Sequence, residues 1–366
     1  MEPAEARAWV ALKMVRGIGS VLGLSLVRAF GSPAAIFAES SHALQCAGVR
    51  RDLARALRRF DKWADADAQL ERARAVGARL VTWRDAEYPE RLRQIHDPPL
   101  FLFVKGALQA QDGLAVAVVG SRAASTYGRV MTRTISEGLA RSGLTIVSGL
   151  ARGVDAEAHA AALRAGGRTI AVMGCGVDVV YPSEHHRLHM QIAQHGAVVS
   201  ELLMRARPDG ENFPARNRII SGLALGTLVV EAAENSGSLI TAHCAAEQGR
   251  EVFAVPGPVG AQSRGTHKLL RQGAALVERA EDIIAEIAPQ ILAAHRAAPA
   301  PPVDEEAAHV LAALDATGTH VDQVIARTGL PAPRVLSILL DLELSALAQQ
   351  LPGSCYAPGA GPSGEA

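Results

Sequence analysis

Two stretches place fixed positive charge beside turn-forming residues: "GSRAASTYG", with Arg122, and "MRARPDGENFPARNRIISG", with Arg205, Arg207, Arg216 and Arg218. A guanidinium stays charged and offers five donors and no acceptor, so each of these arginines needs either solvent or an anion. Only Asp209 and Glu211 oppose the four cations of the second stretch, which reads as one long loop forming a local basic groove. Asn217 stands between two of those arginines. Phe213 adds a flat apolar face on which an unpaired base can stack beside a guanidinium; the alternative is a plug that packs the loop onto the core. Arg122 either meets a phosphate or pairs with a neighbouring carboxylate.

Glycine and serine turns surround these cations. Gly120 and Ser121 precede Arg122 in a tight strand-to-helix turn whose free N–H groups favour an anion. "SGLARGVDAEAH" supplies Ser148, Gly149, Arg152 and Gly153 at a second sharp turn, with Asp155 expected as a helix N-cap. His159 lies four residues beyond Asp155, but no serine or cysteine nucleophile is placed to complete a hydrolytic set. Gly174 and Gly176 repeat the permissive turn, and "HHRLH" sets His185 and His189 at a metal-compatible i, i+4 spacing without a third ligand. His186 and Arg187 in the same run suit a phosphate- or base-contacting patch better. Ser236, Gly237 and Ser238 open a further helix with hydroxyl and N–H donors. The first turn is not GxGxxG and the serine-rich turn has no Walker lysine, so no nucleotide cofactor is expected, and the set suits holding a phosphodiester more than cutting one.

Three kinds of element must position these residues. Residues 1 to 80 carry helical spacing without strand-like alternation, and Gly17, Ile18 and Gly19 sit between two helical stretches in a helix-hairpin-helix layout. That turn either presents N–H groups to a phosphate or simply joins two helices. From Leu114 to about Ala288 come the short apolar runs "LAVAVVG", "LTIVSG", "RTIAVMG", "AVVSE", "GTLVVEA", "EVFAVPG" and "AALVE", each followed by a helical segment. This alternation predicts an α/β fold, a doubly wound, mostly parallel sheet buried on both faces, with ligands beyond the carboxyl ends of the strands. Residues 289–303 form an Ala/Pro linker. The last part, 304–366, reads as three helices, near 304–316, 320–327 and 332–344, with a "TGLP" turn and a trailing hairpin, a winged helix-turn-helix. Its third helix offers only Arg334 to a nucleic acid, which favours a protein-contact or vestigial role.

Composition narrows the class. The 366 residues suffice for two or three domains, and 37 basic residues balance 37 acidic ones, so any nucleic-acid site is a local patch. Four scattered cysteines, Cys46, Cys175, Cys244 and Cys355, fit a reducing compartment. With neither a signal-peptide pattern nor an apolar run of about 20 residues, the chain is expected to be cytoplasmic, without a membrane role.

"YPERLRQIHDPPLFLFVKG", "VAVVGSR", "SGLARGVDAEAH", "GCGVDVVYP", "FPARNRIISGL", "ENSGSLITA" and "REVFAVPG", in this order, closely resemble the DNA-processing protein A (DprA/Smf) family. The resemblance covers about residues 88 to 280 strongly. It implies an extended Rossmann-like domain over 81–288, a sterile-alpha-motif-like module over 1–80 and a winged-helix module after the linker. It further implies a non-enzymatic protein of bacterial natural transformation and recombination, one that binds and protects single-stranded DNA and loads the RecA recombinase as a homodimer. Single-strand-binding protein is a further implied partner. Carried onto this chain, the family's DNA contacts fall on Arg122 and on His186 or Arg187, and its dimer contacts near Leu269, Leu270 and Leu276. "HH" stands at 185–186 where the family usually carries an asparagine and a lysine, and "THKLL" replaces "TNxLI". A rival class, the lysine-decarboxylase-like phosphoribohydrolases, requires a "PGGxGTxxE" signature where this chain reads "AENSGSLITAH".

Overall fold

A computed structural model describes residues 2–292, 304–315, 318–344 and 347–358. Two compact units divide the chain, Met1–Pro289 and Gln290–Ala366. Residues 293–303, most of the expected linker, and the final residues from 359 lie outside the described residues.

The first unit opens with six helices between Pro3 and Ala75. Gly17 takes φ +95° in the turn between Pro3–Met14 and Ser20–Phe30, a conformation open to glycine at little cost. A nine-stranded sheet follows: β1 (Ala78–Thr82), β2 (Phe101–Gly106), β3 (Ala115–Val119), β4 (Thr145–Ser148), β5 (Thr169–Val172), β6 (Ala197–Ser200), β7 (Gly226–Val229), β8 (Glu251–Ala254) and β9 (Ala275–Leu276). Their spatial order is β1-β2-β6-β5-β4-β3-β7-β8-β9. Strands β3 to β9 pair in parallel, as the apolar runs predict, with helices filling the connections.

Two strands depart from the sequence expectation. β1 pairs antiparallel with β2, Val81 opposite Leu102, and β2 antiparallel with β6, Val104 opposite Val199. The sheet therefore begins at Ala78, inside the stretch read as purely helical. Burial along β2 alternates by face: Phe101 and Phe103 join the core beneath the N-terminal helices, while Leu102 and Val104 join the opposite core with Tyr88, Leu92, Ile219 and Ile220. A strand covered on both sides loses its polar face, so its run shows no alternation.

The winding order fixes where a ligand can sit. The chain lays down β3, β4, β5 and β6 in one direction, then returns past β3 to place β7, β8 and β9 on its other side. The connections after β3 and β7 leave in opposite directions, and a crevice opens at their carboxyl ends.

His159, on the helix Val154–Arg164 packed over β4 and β5, is fully buried. Thr169 Oγ1 donates to the Ile146 carbonyl at 2.8 Å, so His159 Nδ1, 2.6 Å away, donates to that hydroxyl. Nε2 then carries a lone pair and has no partner among the described residues. Burial holds this imidazole down to about 3, and His189, also buried, down to about 4.

The second unit contains the helices Glu305–Ala312, Val321–Thr328 and Ala332–Leu344, close to the expected spans. Gly329 ends the second of these at φ +68°, the left-handed C-cap that "TGLP" signals. β10 (Thr319–His320), β11 (Ala348–Leu351) and β12 (Cys355–Pro358) form a small sheet in the order β10-β12-β11, giving the winged-helix layout. Val310, Val324, Val335, Leu339 and Tyr356 build its core. Arg334 is tied to Glu306 at 2.6 Å and Asp304 at 3.9 Å.

The histidines predict acid sensitivity. The unfolded chain takes up a proton near the ordinary value of about 6.5 and the folded chain does not, so their contribution is intact above that pH and is lost as pH falls toward about 3. Urea unfolding of the parent should weaken by on the order of 1–2 kcal/mol per histidine between pH 7 and pH 5. His159→Gln should show a shallower pH dependence, whatever its stability at pH 7; an equally steep loss would mean another group binds the proton.

Candidate nucleic-acid interface

The crevice between the ends of β3 and β7 is a cleft of about 1020 Å³. The turn after β3, Gly120 to Ala123, lines one wall, and the turn after β7, Glu234 to Ser238, lines another. Phe213, Arg216 and Asn217, from the helix Asn212–Leu223, contribute a third side.

A single carboxylate holds the first turn in place. Buried Glu231, just past β7, accepts from Ser125 Oγ at 2.7 Å and from the Ser125 N–H at 3.1 Å, while its own carbonyl accepts from the Ser121 N–H at 2.7 Å. Ser125 Oγ in turn accepts from the Gly128 N–H, capping the helix Thr126–Arg141. Gly120 sits against Val154 and the Glu231 carbonyl, where a Cβ would not fit.

Arg122 is exposed on this rim and has no ion-pair partner among the described residues. Its guanidinium lies 5.6 Å from the Phe213 ring centroid, and the Tyr181 ring stands 5.5 Å from Phe213 at an interplanar angle of 37°. Phe213 is half-buried and Tyr181 is 41% exposed, so two ring faces and one free cation meet at the cleft edge. A guanidinium beside open aromatic faces can take a phosphate while a base stacks on a ring. On the opposite wall Arg264 also lines the cleft, with Glu234 at the 4.0 Å limit of an ion pair.

The arginine pair of the second stretch behaves differently from the expected loop. Both residues lie on a helix, which Pro214 tolerates because it falls in the first turn. Arg216 is 5% exposed, and its Nη1 donates to the Gly149 carbonyl at 3.0 Å and to the Val172 carbonyl. Burial pushes it down to about 10, with Asp155 opposing, so it stays cationic near neutrality. Its Nε has no hydrogen-bond partner among the described residues. Arg218 is neutralised: Nε meets Asp97 at 2.9 Å and Nη2 meets Glu201 at 2.9 Å, and Glu201 also receives Lys13 at 3.3 Å. Arg218 does not line the cleft. Arg205 and Arg207 are exposed on the preceding loop, where the Arg205 N–H donates to Asp178.

Several other turn residues serve the scaffold. Ser148 is buried and its Oγ donates to the Val118 carbonyl at 2.6 Å. Gly149 and Gly174 are buried too; a Cβ on the first would strike the Arg216 guanidinium, and on the second the Phe213 ring. Gly153, at φ +76°, is the N-cap, and Asp155 instead stands in the first helical turn and accepts from the Gly149 and Ala151 N–H groups at 3.1 and 3.3 Å. Burial raises its carboxyl. Arg152 is exposed but paired with Glu184. Asn217 Nδ2 donates to the Gly237 carbonyl at 3.3 Å, and Ser236 and Ser238 share a 2.8 Å hydroxyl contact at the start of the helix Ser238–Glu247.

His186 and Arg187 are exposed at the start of the helix His186–His195 and do not line the cleft. His185 Nδ1 is engaged with the Leu150 carbonyl at 3.0 Å and His189 points inward, so their spacing does not make a ligand pair; among the described residues no group of three His, Cys, Asp or Glu could hold a metal. Near the far edge, Leu269 belongs to the chain's own core, which corrects its expected place on a dimer surface, while Leu270 is half-buried and Leu276 on β9 is 52% exposed. Tyr181, Ser125, Glu231 and Arg264 were not singled out from the sequence. The S-x-x-G spacing of Ser125 and Gly128 and the acid ending "GTLVVE" are the signals for two of them. No helix among the described residues is long and apolar enough to cross a membrane.

A family model described as DNA recombination-mediator protein A matches residues 79–288, and one described as the DprA winged helix domain matches 294–354. Protein Smf of Escherichia coli (strain K12) is 46% identical over 278 residues, 73% of this chain and 74% of that protein. The putative DNA processing protein DprA of Mycobacterium tuberculosis (strain ATCC 25618 / H37Rv) is 36% identical over 367 residues, 94% of this chain and 92% of its own. Among solved structures, DNA processing protein A from Streptococcus pneumoniae aligns with a TM-score of 0.69 at 37% identity, covering 76% of this chain and 98% of that one. DNA processing protein A from Helicobacter pylori, solved to describe its single-stranded DNA binding mode, aligns at 0.53 and 30% identity, covering 58% and 96%. Ordered motifs, sheet topology and a family match across more than half its length agree, and the chain belongs to the DNA recombination-mediator protein A family.

Proposed function

We propose that this chain grips a lone DNA strand along the strand-end cleft and hands it to a recombinase, without breaking a bond. The observation that carries this reading is the Arg122 guanidinium held over Phe213, with Tyr181 beside it and no carboxylate partner among the described residues. Phosphate contacts and ring stacking carry little base information, so binding is sequence-tolerant. Unpaired bases are required to use the rings, so duplex binds more weakly. The H. pylori relative, studied for its single-stranded DNA binding mode, supports the same assignment. Asp155 and His159 give little support to hydrolysis, since the first holds backbone N–H groups and the second a buried hydroxyl.

The family's description as a recombination mediator supports a finer role. The bound strand is shielded and passed to the RecA recombinase, in competition with single-strand-binding protein, during uptake of transforming DNA in the bacterial cytoplasm. A homodimer through the β9 edge supports this role, with Leu276 and the exposed part of Leu270 as contacts.

Three outcomes test the reading. In filter binding across a salt series, Arg122→Ala and Phe213→Ala should each weaken single-strand affinity by about tenfold, the size of one lost cation or one lost stacking contact. Arg218→Ala is the control: it removes the partner of Asp97 and one of the two cations on Glu201, leaving Lys13, and should cost on the order of 1–3 kcal/mol of stability with little change in affinity. Equal affinity for duplex, or an unchanged Arg122→Ala protein, would sink the cleft assignment. Leu276→Glu should shift the sedimentation profile toward monomer. The parent should also accelerate RecA filament formation on strands precoated with single-strand-binding protein, an effect that Arg122→Ala abolishes.

A further inference from the structure

Residues 50–62 hold six cations, Arg50, Arg51, Arg55, Arg58, Arg59 and Lys62, against Asp52 and Asp61, a local charge of plus four in a chain whose total is zero. The helix Arg51–Arg58 turns Leu53, Ala54 and Leu57 into the core. Arg51, Arg55 and Arg59, spaced i, i+4, i+8, fall on its opposite face and are exposed. Among the described residues none of the three has an ion-pair partner; Arg50 pairs with Asp52, and Arg58 is spent on the carbonyls of Phe37 and Ala38. None of them lines the strand-end cleft.

We propose that the Arg51, Arg55 and Arg59 stripe is a second contact for the nucleic-acid backbone, separate from the cleft. Charge complementarity names the partner. Successive arginines of the stripe, the last of them the C-cap Arg59, are set about 6 Å apart in backbone rise, and their long side chains extend from those positions. A nucleic-acid strand repeats its negative charge about every 3.4 Å along a duplex, so each arginine reaches its own phosphate. An acidic protein fits less well, because a protein interface needs an apolar centre and no large exposed hydrophobic residue lies on this helix. The buried leucines fix the stripe to the unit: Leu53 lies against the Gly17 turn, where an added Cβ would be 3.7 Å from its Cδ1. Exposed Arg16 adjoins that turn and adds to the field. A strand held in the cleft gains affinity from this stripe only when it is long enough to reach both.

The test is fluorescence anisotropy on the full chain with labelled oligothymidylate of about 8 and about 40 nucleotides and a duplex of about 40 base pairs, across a salt series. The triple variant Arg51→Ala, Arg55→Ala, Arg59→Ala removes surface groups only, and its melting curve checks the fold. It should bind the short strand as the parent does, lose about tenfold on the long strand, and reduce the salt slope by about 2 if three phosphate contacts go. Combined with Arg122→Ala, it should remove the long-strand binding that Arg122→Ala alone leaves. A matching loss on duplex shows that the stripe accepts any phosphodiester backbone; a loss confined to single strands assigns it the continuing strand. An unchanged long-strand affinity and salt slope would overturn the proposal, as would an equal loss on the short strand. Because the short strand is read through the cleft alone, the effect of Arg122→Ala on that strand shows failure of the cleft reading separately.

Discussion

A buried guanidinium needs acceptors, and the strand-end rim is organised around supplying them to Arg216. Removing a charge from water costs several kcal/mol even after relaxation, an amount recovered only through good hydrogen bonds and nearby opposite charge. The carbonyls of Gly149 and Val172 provide the first and Asp155 the second. Asp155 is itself held by the N–H groups of Gly149 and Ala151, so the turn after β4 is fixed from both sides, and Arg216 ties it to the end of β5. Glycine at 149 leaves room for the guanidinium, which an added Cβ would meet at 2.5 Å and push from its carbonyl acceptors. The same helix carries Phe213 against Gly174, so the position of the ring depends on where Arg216 is anchored.

Three arginines close in sequence or in space thereby divide the work. Arg216 is an interior strut, Arg218 ties the sheet to the N-terminal helices through Glu201 and Lys13, and Arg122 stays free at the edge. Only the free one can exchange solvent for phosphate without breaking a structural bond. Positive charge counted along the chain therefore overstates the charge offered to a ligand.

Much of this was legible in the sequence. Near-continuous apolar runs separated by helical segments gave away the parallel strands β3 to β9, because burial on both faces leaves no polar alternation. The wing's helices and their glycine C-cap were equally plain, since Gly329 has a local conformational reason to be there. β1 and β2 were harder: they pair antiparallel across a gap of eighteen residues, and "FLFVK" looks the same in a strand and in a buried helix segment. The fate of Arg218 hung on Glu201 and Asp97, one on the end of β6 and the other on the approach to β2, contacts that only the folded sheet creates. Leu269 was invisible for the same reason, since an apolar residue in an exposed-looking helix declares no side.

The N-terminal helices and the strand ends share one apolar interior. Trp9, Leu26, Leu44 and Leu57 from the helices lie in the same cluster as Leu150, Met173, Cys175, Val177 and Met204, which follow β4, β5 and β6. Gln69 Oε1 also accepts from the Met204 N–H at 2.7 Å. This makes the opening module an integral wall, because stripping it away would lay bare the undersides of the very loops that shape the cleft. A chain begun at the first strand would inherit the motifs but not the support beneath them.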